Sequence, residues 1–245
     1  MTNTRHATVP GTVDTTRSAR WLALGAIAGP VLFTLSWLVL GVVSDGYTLW
    51  DHTFTDYSPI SQSISGLGVG STAPYMNTAF VLCGLLLIAG VIGVMQVTTP
   101  GRPTPRATTI LLALTGAGQM MCGIFTLKAI MPHMLGFVIA LGAPIVSFLV
   151  AGRHFRGVPG WRRFGTWLRL GSPLALVLLV AYFMAFEPTA DGAEHGIAGL
   201  VQRIGVIHAF GWFAAMGYLA FALSRRVGVQ PGVPHRPGGS AQPPL

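Results

Sequence analysis

Six apolar runs separate the charges of this chain by sign, and that sorting limits its fold more than any other feature. Arg5, Arg17, Arg20, Arg102, Arg106, Arg153, Arg156, Arg162, Arg163, Arg169, Arg225, Arg226 and Arg236 occupy the two termini and the even-numbered connections between runs. Asp45, Asp51, Asp56, Glu187, Asp191 and Glu194 occupy the odd-numbered ones. Thirteen of the 15 basic residues thus fall on one side and six of the seven acids on the other. A soluble domain has no reason to sort charge this way, whereas a polytopic membrane protein does so through the excess of Lys and Arg in its cytoplasmic loops. Each run approaches the roughly 20 residues that a helix needs to cross hydrocarbon. The expected fold is all-α, a bundle of six transmembrane helices with both termini on the cytoplasmic side. Its expected location is the cell membrane, multi-pass.

Composition agrees: 51% of residues are hydrophobic and only 9% charged, against about a quarter charged in soluble domains. A pI near 10.5 would ordinarily raise nucleic acid as a partner. Here the basic residues sit at membrane edges, where orientation and anionic lipid account for them, so no nucleic-acid partner is expected. Cys83 and Cys122 both lie inside spans and outside any CxxC or Cys/His cluster, so no metal is expected. No cofactor motif is present. The first apolar run starts only at Trp21, is too long for the core of a cleaved signal and lacks a small-x-small cleavage site, so it reads as a retained helix.

Residues 1–20 read as a flexible cytoplasmic segment and 225–245, rich in Pro and Gly, as a disordered cytoplasmic tail. Between them, residues 21–224 form the transmembrane domain. The spans read as Trp21–Ser44, Ala73–Val97, Ala107–Ile130, Pro132–Ala151, a fifth ending near Phe186, and Gly199–Leu223, with a basic loop from Gly152 to Arg169. Pro30 should kink the first span. Glycines recur within the spans, as expected where helices approach closely without a hydrophobic drive between them. The same glycine-lined faces permit association into an oligomer.

The first extracytoplasmic connection, Asp45 to Thr72, is far longer than a hairpin needs, and long loops of this kind are often functional. Within it Tyr57-Ser58-Pro59-Ile60-Ser61-Gln62-Ser63-Ile64-Ser65-Gly66 reads as a short helix. Ser58 suits the cap, Pro59 the first helical position and Gly66 the terminus. Tyr57, Ile60, Ile64 and Leu67 would form an apolar stripe opposite Ser58, Ser61 and Ser65, giving an amphipathic element that lies on the bilayer surface or dips into the mouth of the bundle. Gly66-x-Gly68-x-Gly70 lacks the strand and Lys-Ser/Thr of a phosphate-binding loop and reads as a flexible connection.

These stretches carry a family resemblance. Gly29-Pro30, Tyr57-Ser58-Pro59-Ile60-Ser61-Gln62 with Ser65 and Leu67, Asn77 to Gly84, Gly123-Ile124-Phe125 and Gln202-Arg203-Ile204 together resemble the family catalogued as domain of unknown function 998. The likeness runs from about residue 20 to 225. It implies a six-helix integral membrane protein and brings no general activity with it. Where members of the family have a Pro and an acidic residue after Gly123-Ile124-Phe125, this chain has Thr126-Leu127-Lys128.

Ionisable groups at membrane depth are costly and call for a functional hypothesis. Arg203 lies about one turn inside the outer end of span six, and two readings fit it. It pairs with Glu187, with Asp191 and Glu194 nearby, or it faces a cavity and holds an anionic head group through its fork of donors. His208 sits five residues on, about 140° around the helix, as a proton-transfer group or a bridge between helices. Gln119, Asn77 and His133 complete the set. Asn77, Glu187, His195, Arg203 and the helix carrying Tyr57, Ser58, Ser61, Gln62 and Ser65 converge on the outer half. No HExxH, GxSxG, P-loop or Asp-rich pair is present. The leading expectation is a protein that binds or handles a lipid or other hydrophobic small molecule in that half, with membrane lipid as its partner. The alternatives are an intramembrane enzyme working on a lipid or isoprenoid by acid–base chemistry, with Glu187, His195 or His208 as catalytic groups, and a structural subunit of a membrane complex.

Overall fold

The computed structural model describes residues 12–227 apart from Pro188. Six of its helical segments are long and apolar enough to cross a membrane: Arg17–Val43, Ala73–Thr98, Arg106–Ile124, Leu127–Arg156, Arg162–Ala185 and Ala198–Leu223. The first is built from two helices, α1 (Thr12–Ala23) and α2 (Gly25–Val43), which meet at Leu24. There the Leu24 N–H donates to Trp21 O at 3.1 Å, a tighter i−3 bond in place of the i−4 ladder. The remaining spans are α3 (Ala73–Thr98), α4 (Arg106–Ile124), α5 (Ile130–Arg156), α6 (Arg162–Ala185) and α8 (Ala198–Val227), with the one-and-a-half-turn α7 (Ala190–His195) before the last. Each span packs on the next in sequence, and α8 closes the ring against α2 while also touching α3 and α5. One end of the bundle carries the basic connections and the other the acidic ones.

Glycine pairs set most of these crossings. A Cβ on Gly25 would press on the Gly90 backbone, one on Gly84 on Gly116 O, one on Gly118 on Gly136 O and one on Gly152 on Gly165 O. These four pairs join α2 to α3, α3 to α4, α4 to α5 and α5 to α6 in turn. Small residues at a crossing let backbones close to van der Waals distance, which is what holds helices together in lipid. Aromatic edges fill what remains: Phe33 meets Phe80 at 4.8 Å and Phe210 at 5.7 Å between ring centroids, tying α2 to α3 and α8.

Three boundaries differ from the sequence reading. Helix begins at Thr12, inside the segment expected to be flexible; residues 1–11 and 228–245 lie outside the described residues. The expected basic loop from Gly152 to Arg169 shrinks to the turn 157–161, because α5 runs on to Arg156 and α6 starts at Arg162. Long arginine stems lie along a helix while their heads reach water, so helix continues past the apolar run. Span three ends at Ile124 instead of Ile130, since apolar residues continue through the corner and hydropathy alone does not mark it.

The crossings yield a direct comparison. Gly118→Leu forces side-chain atoms into Ala140 and Gly136 backbone and should cost about 1–3 kcal/mol or more. Gly211, where a Cβ would meet nothing within 4 Å, should accept Leu. Thermal unfolding of both variants in detergent measures the contrast, with a lowered midpoint expected for the first alone.

Candidate ligand-binding site

The long connection after α2 is ordered in three pieces. Residues Tyr47–Leu49 (β1) and His52–Phe54 (β2) pair antiparallel, with Leu49 opposite His52 across a two-residue turn in which Trp50 has φ 52°. A turn follows over residues 58–62, closed by Gln62 N–H to Ser58 O at 2.9 Å. A 3-10 helix then covers Ile64–Gly68. The short helix expected over residues 58–66 is therefore displaced toward α3 and is not amphipathic. Ile64, Leu67, Ser61 and Ser65 are all buried, while Ile60 is 53% exposed. The element plugs the bundle mouth instead of lying on a surface. Ser58 Oγ still accepts the Ser61 N–H at 3.4 Å in cap fashion, but Pro59 starts only a turn. The glycines expected to be flexible are close-contact points. A Cβ on Gly66 would strike the Tyr47 ring, and one on Gly70 the Gly46 carbonyl.

What holds this plug in place is the start of α8. The Gly199 and Leu200 N–H groups, two of the donors a helix leaves unpaired at its N-terminus, donate to Ser61 O at 3.2 Å and Ile60 O at 2.8 Å. One turn on, Arg203 Nη1 donates to Pro59 O (2.7 Å), Gln62 O (2.9 Å) and its own helix at Gly199 O (2.8 Å). Its Nη2 donates to the Tyr57 hydroxyl. Four consecutive carbonyls, 59 to 62, are thus taken by α8. Gln202 Oε1 adds a fifth tie by accepting the Ile64 N–H at 2.8 Å. The guanidinium also sits over the Trp37 ring, 5.2 Å from its centroid, and 5.7 Å from that of Tyr57. Burial pushes the Tyr57 phenol above its usual pKa, only partly offset by Arg203. It stays neutral, accepting from Arg203 and donating to Ser63 O at 2.9 Å.

Beside the plug, toward α5, α6 and α7, lies a cavity of about 340 Å³, within the range of small-molecule sites. Its walls are mostly apolar: Tyr47, Leu49, Trp50 and Phe54 of the hairpin, Ile130, Met134 and Phe137 of α5, and Tyr182 of α6, with Phe186 just beyond. The polar lining comes from the plug (Ser61, Gln62, Ser65), from His133 of α5 and Gln202 of α8, and from His52 of the hairpin and Thr189 before α7, while Glu187 stands at the rim. Ser61 Oγ and Gln62 Oε1 have no hydrogen-bond partner among the described residues. The hairpin and α7 form two of the walls, joined by His52 Nε2 and Glu194 Oε1 at 3.0 Å.

The sequence-selected residues separate into two groups. Ser61, Gln62, Ser65 and Glu187 line the cavity; Tyr57, Asn77, Gln119, His195, Arg203 and His208 do not. Neither reading of Arg203 matches its position: it meets no carboxylate among the described residues, and its Nη1 and Nη2 groups donate to the plug, to Tyr57 and to its own helix, while Nε finds no acceptor there. The reason is distance along the fold, since Glu187 is exposed at the rim while Arg203 is buried behind the carbonyls. Asn77 Nδ2 donates to Gly68 O at 3.0 Å, bracing the 3-10 helix. His208 Nε2 contacts Gly171 O at 2.9 Å and bridges α8 to α6. His195 is exposed against Asp191 at 3.3 Å. Ser58 is half-buried in the turn. Gln119 is buried deeper in the bundle. Sequence reasoning missed the hairpin, although Tyr47-Thr48-Leu49 and His52-Thr53-Phe54 alternate β-formers about a two-residue turn. His133 sits in the first turn of α5 and reaches Ser65 at 2.9 Å, a partner the sequence does not suggest.

Loss of the Arg203 side chain leaves the carbonyls of Pro59, Gln62 and Gly199, the last two buried, without their charged donor, so Arg203→Met should cost about 2–4 kcal/mol. Hydrogen exchange should rise across residues 57–68 ahead of the spans. The double exchange Arg203→Glu with Glu187→Arg should fail to restore stability, because a carboxylate cannot donate to carbonyls.

Neither curated proteins nor solved structures give a match to this chain. A family match covers residues 27–219, and the stretches that suggested the likeness meet in space. Residues 57–62 dock on Gln202-Arg203, Asn77 braces the plug, and Phe125 O is held by His133 Nδ1 at 2.7 Å. With six membrane-length helices and a match over most of its length, the chain belongs to the family described as protein of unknown function DUF998.

Proposed function

We propose that this protein, a multi-pass protein of the cell membrane, holds one amphiphilic, lipid-like molecule in the cavity at its acidic end. The observation that carries the reading is the cavity itself: about 340 Å³, its lining divided between mostly apolar walls and a smaller polar set that includes Ser61, Gln62, Ser65, His133 and Gln202. Such a division suits a molecule with an apolar chain and a small polar head. The chain would lie against Phe137, Met134 and Tyr182, and the head toward Ser61, Gln62 and Glu187. By the positive-inside rule this end faces away from the cytoplasm, where a bilayer-derived ligand enters from the outer leaflet. The His52–Glu194 contact is a half-exposed pair worth at most about 1 kcal/mol, weak enough for hairpin and α7 to part and admit a chain.

Mass spectrometry of small molecules retained by the protein in native-lipid discs tests the reading. One species enriched over bulk lipid is expected, and Ala193→Trp, which fills the α7 wall, should abolish the enrichment. Bulk lipid alone, in host proportions, would sink the idea. Glu194→Gln should speed exchange of the retained species by up to about fivefold, as followed by chasing with isotope-labelled lipid.

A further inference from the structure

Holding an amphiphile leaves one arrangement on the cavity floor unused. Ser65 Oγ lies 2.9 Å from His133 Nε2, and His133 Nδ1 lies 2.7 Å from Phe125 O. A carbonyl oxygen only accepts, so Nδ1 carries the ring proton and the Nε2 lone pair of the neutral imidazole is left to accept the Ser65 hydroxyl proton. This is nucleophile, base and orienting acceptor in series, the relation that activates a serine. Both side chains are buried, Ser65 at 5% and His133 at 2% exposure, yet both line the cavity.

The surroundings match the chemistry. Ser65, Phe137 and Gln202 also line a second, inner cavity of about 40 Å³, room for only a few atoms. Ser65 therefore stands at the junction between a large apolar space and a small one. Thr115 Oγ1 and both amide atoms of Gln119 belong to buried side chains lining the inner cavity, and they have no hydrogen-bond partner among the described residues. Gln202 Oε1 is fixed by the Ile64 N–H, and its amide nitrogen meets no acceptor among the described residues, which leaves a donor on the same wall.

We propose that Ser65 and His133 cleave a carboxylic ester whose long apolar part occupies the outer cavity and whose small part points into the inner one. The inference rests on the reading that the outer cavity takes an apolar chain. Ser65 Oγ attacks the ester carbonyl carbon as its proton passes to His133 Nε2. The carbonyl electron pair moves to oxygen, where the Gln202 amide is the available donor. Collapse breaks the carbon–oxygen bond to the alcohol, which leaves with the proton from His133, and the acyl group stays on Ser65. Water then attacks this acyl ester while His133 takes its proton. The acid departs and the Ser65 hydroxyl is restored. Thr115 and Gln119 supply hydrogen-bonding groups for that water.

Hexadecyl fluorophosphonate, added to the protein in native-lipid discs, tests the pair, since an activated serine displaces fluoride and keeps the phosphonyl group. Intact mass and peptide mapping should find one adduct on wild type, at Ser65, and none on Ser65→Ala. His133→Gln should slow the adduct about 100-fold or more. Retention of the amphiphile by wild type, measured alongside, separates failure of the nucleophile from failure of the cavity. The wild-type peptide map locates the adduct whether or not a variant folds. Retained amphiphile with Ser65 unmodified, an adduct elsewhere, or a His133→Gln rate equal to wild type overturns the proposal. A wild type that retains nothing but is labelled at Ser65 sinks the holding role and leaves the pair standing.

Discussion

Arg203 is a buried cation with no acid beside it among the described residues, and the acidic end of the molecule is arranged around that fact. A charge in such a place is tolerable only when hydrogen-bonding oxygens replace water. The carbonyls of Pro59, Gln62 and Gly199 and the Tyr57 hydroxyl do this, with Trp37 covering one face. The exchange works in both directions. The turn over 58–62 has carbonyls that no regular structure would satisfy, and α8 has unpaired N–H groups at Gly199 and Leu200 that need acceptors. Each side completes the other, so the plug and the last span stand or fall together.

Fixing the plug decides where open space is left. Residues 61–65 are held on the α8 side of the mouth, while the hairpin leans toward α7 through His52 and Glu194. The volume between them, over α5 and α6, is the outer cavity. Gly199 matters here, since a Cβ at that position would meet the backbone of Gln62, and the plug could not seat. The 3-10 helix in turn presents Ser65 to His133, whose other nitrogen pins the corner after α4 at Phe125. A structural joint and a reactive geometry are therefore built from the same few residues.

Legibility in the sequence divided along the range of the interactions. Residues Asn77, Glu187, His195 and Arg203 were all assigned to one end of the bundle, because depth along a span follows from counting residues. Which way each one turns did not follow. Arg203 looked like a partner for Glu187 by depth, but the carbonyls of a loop some 140 residues earlier reach it first. Nothing near His133 in sequence suggests Ser65, 68 positions away. The surface placement of 57–67 fails for a related reason: alternation of Ser and apolar residues looks the same for a surface helix and for a plug seated in the bundle mouth.

The sequence by itself determined the six spans, their alternation across the bilayer and the pairing of basic ends against acidic ones, because hydrocarbon thickness and charge act on local stretches of chain. The glycines also announced close helix crossings. Only the tertiary structure decided that Gly25 faces Gly90 and Gly118 faces Gly136, that the long connection folds inward, and that Arg203 holds it there. Those outcomes depend on which backbone carbonyls and donors arrive at the same point, and backbone groups are identical in every residue but proline. Hydrophobicity and charge are written in side chains, whereas the joint that shapes this cavity is written mostly in main-chain atoms.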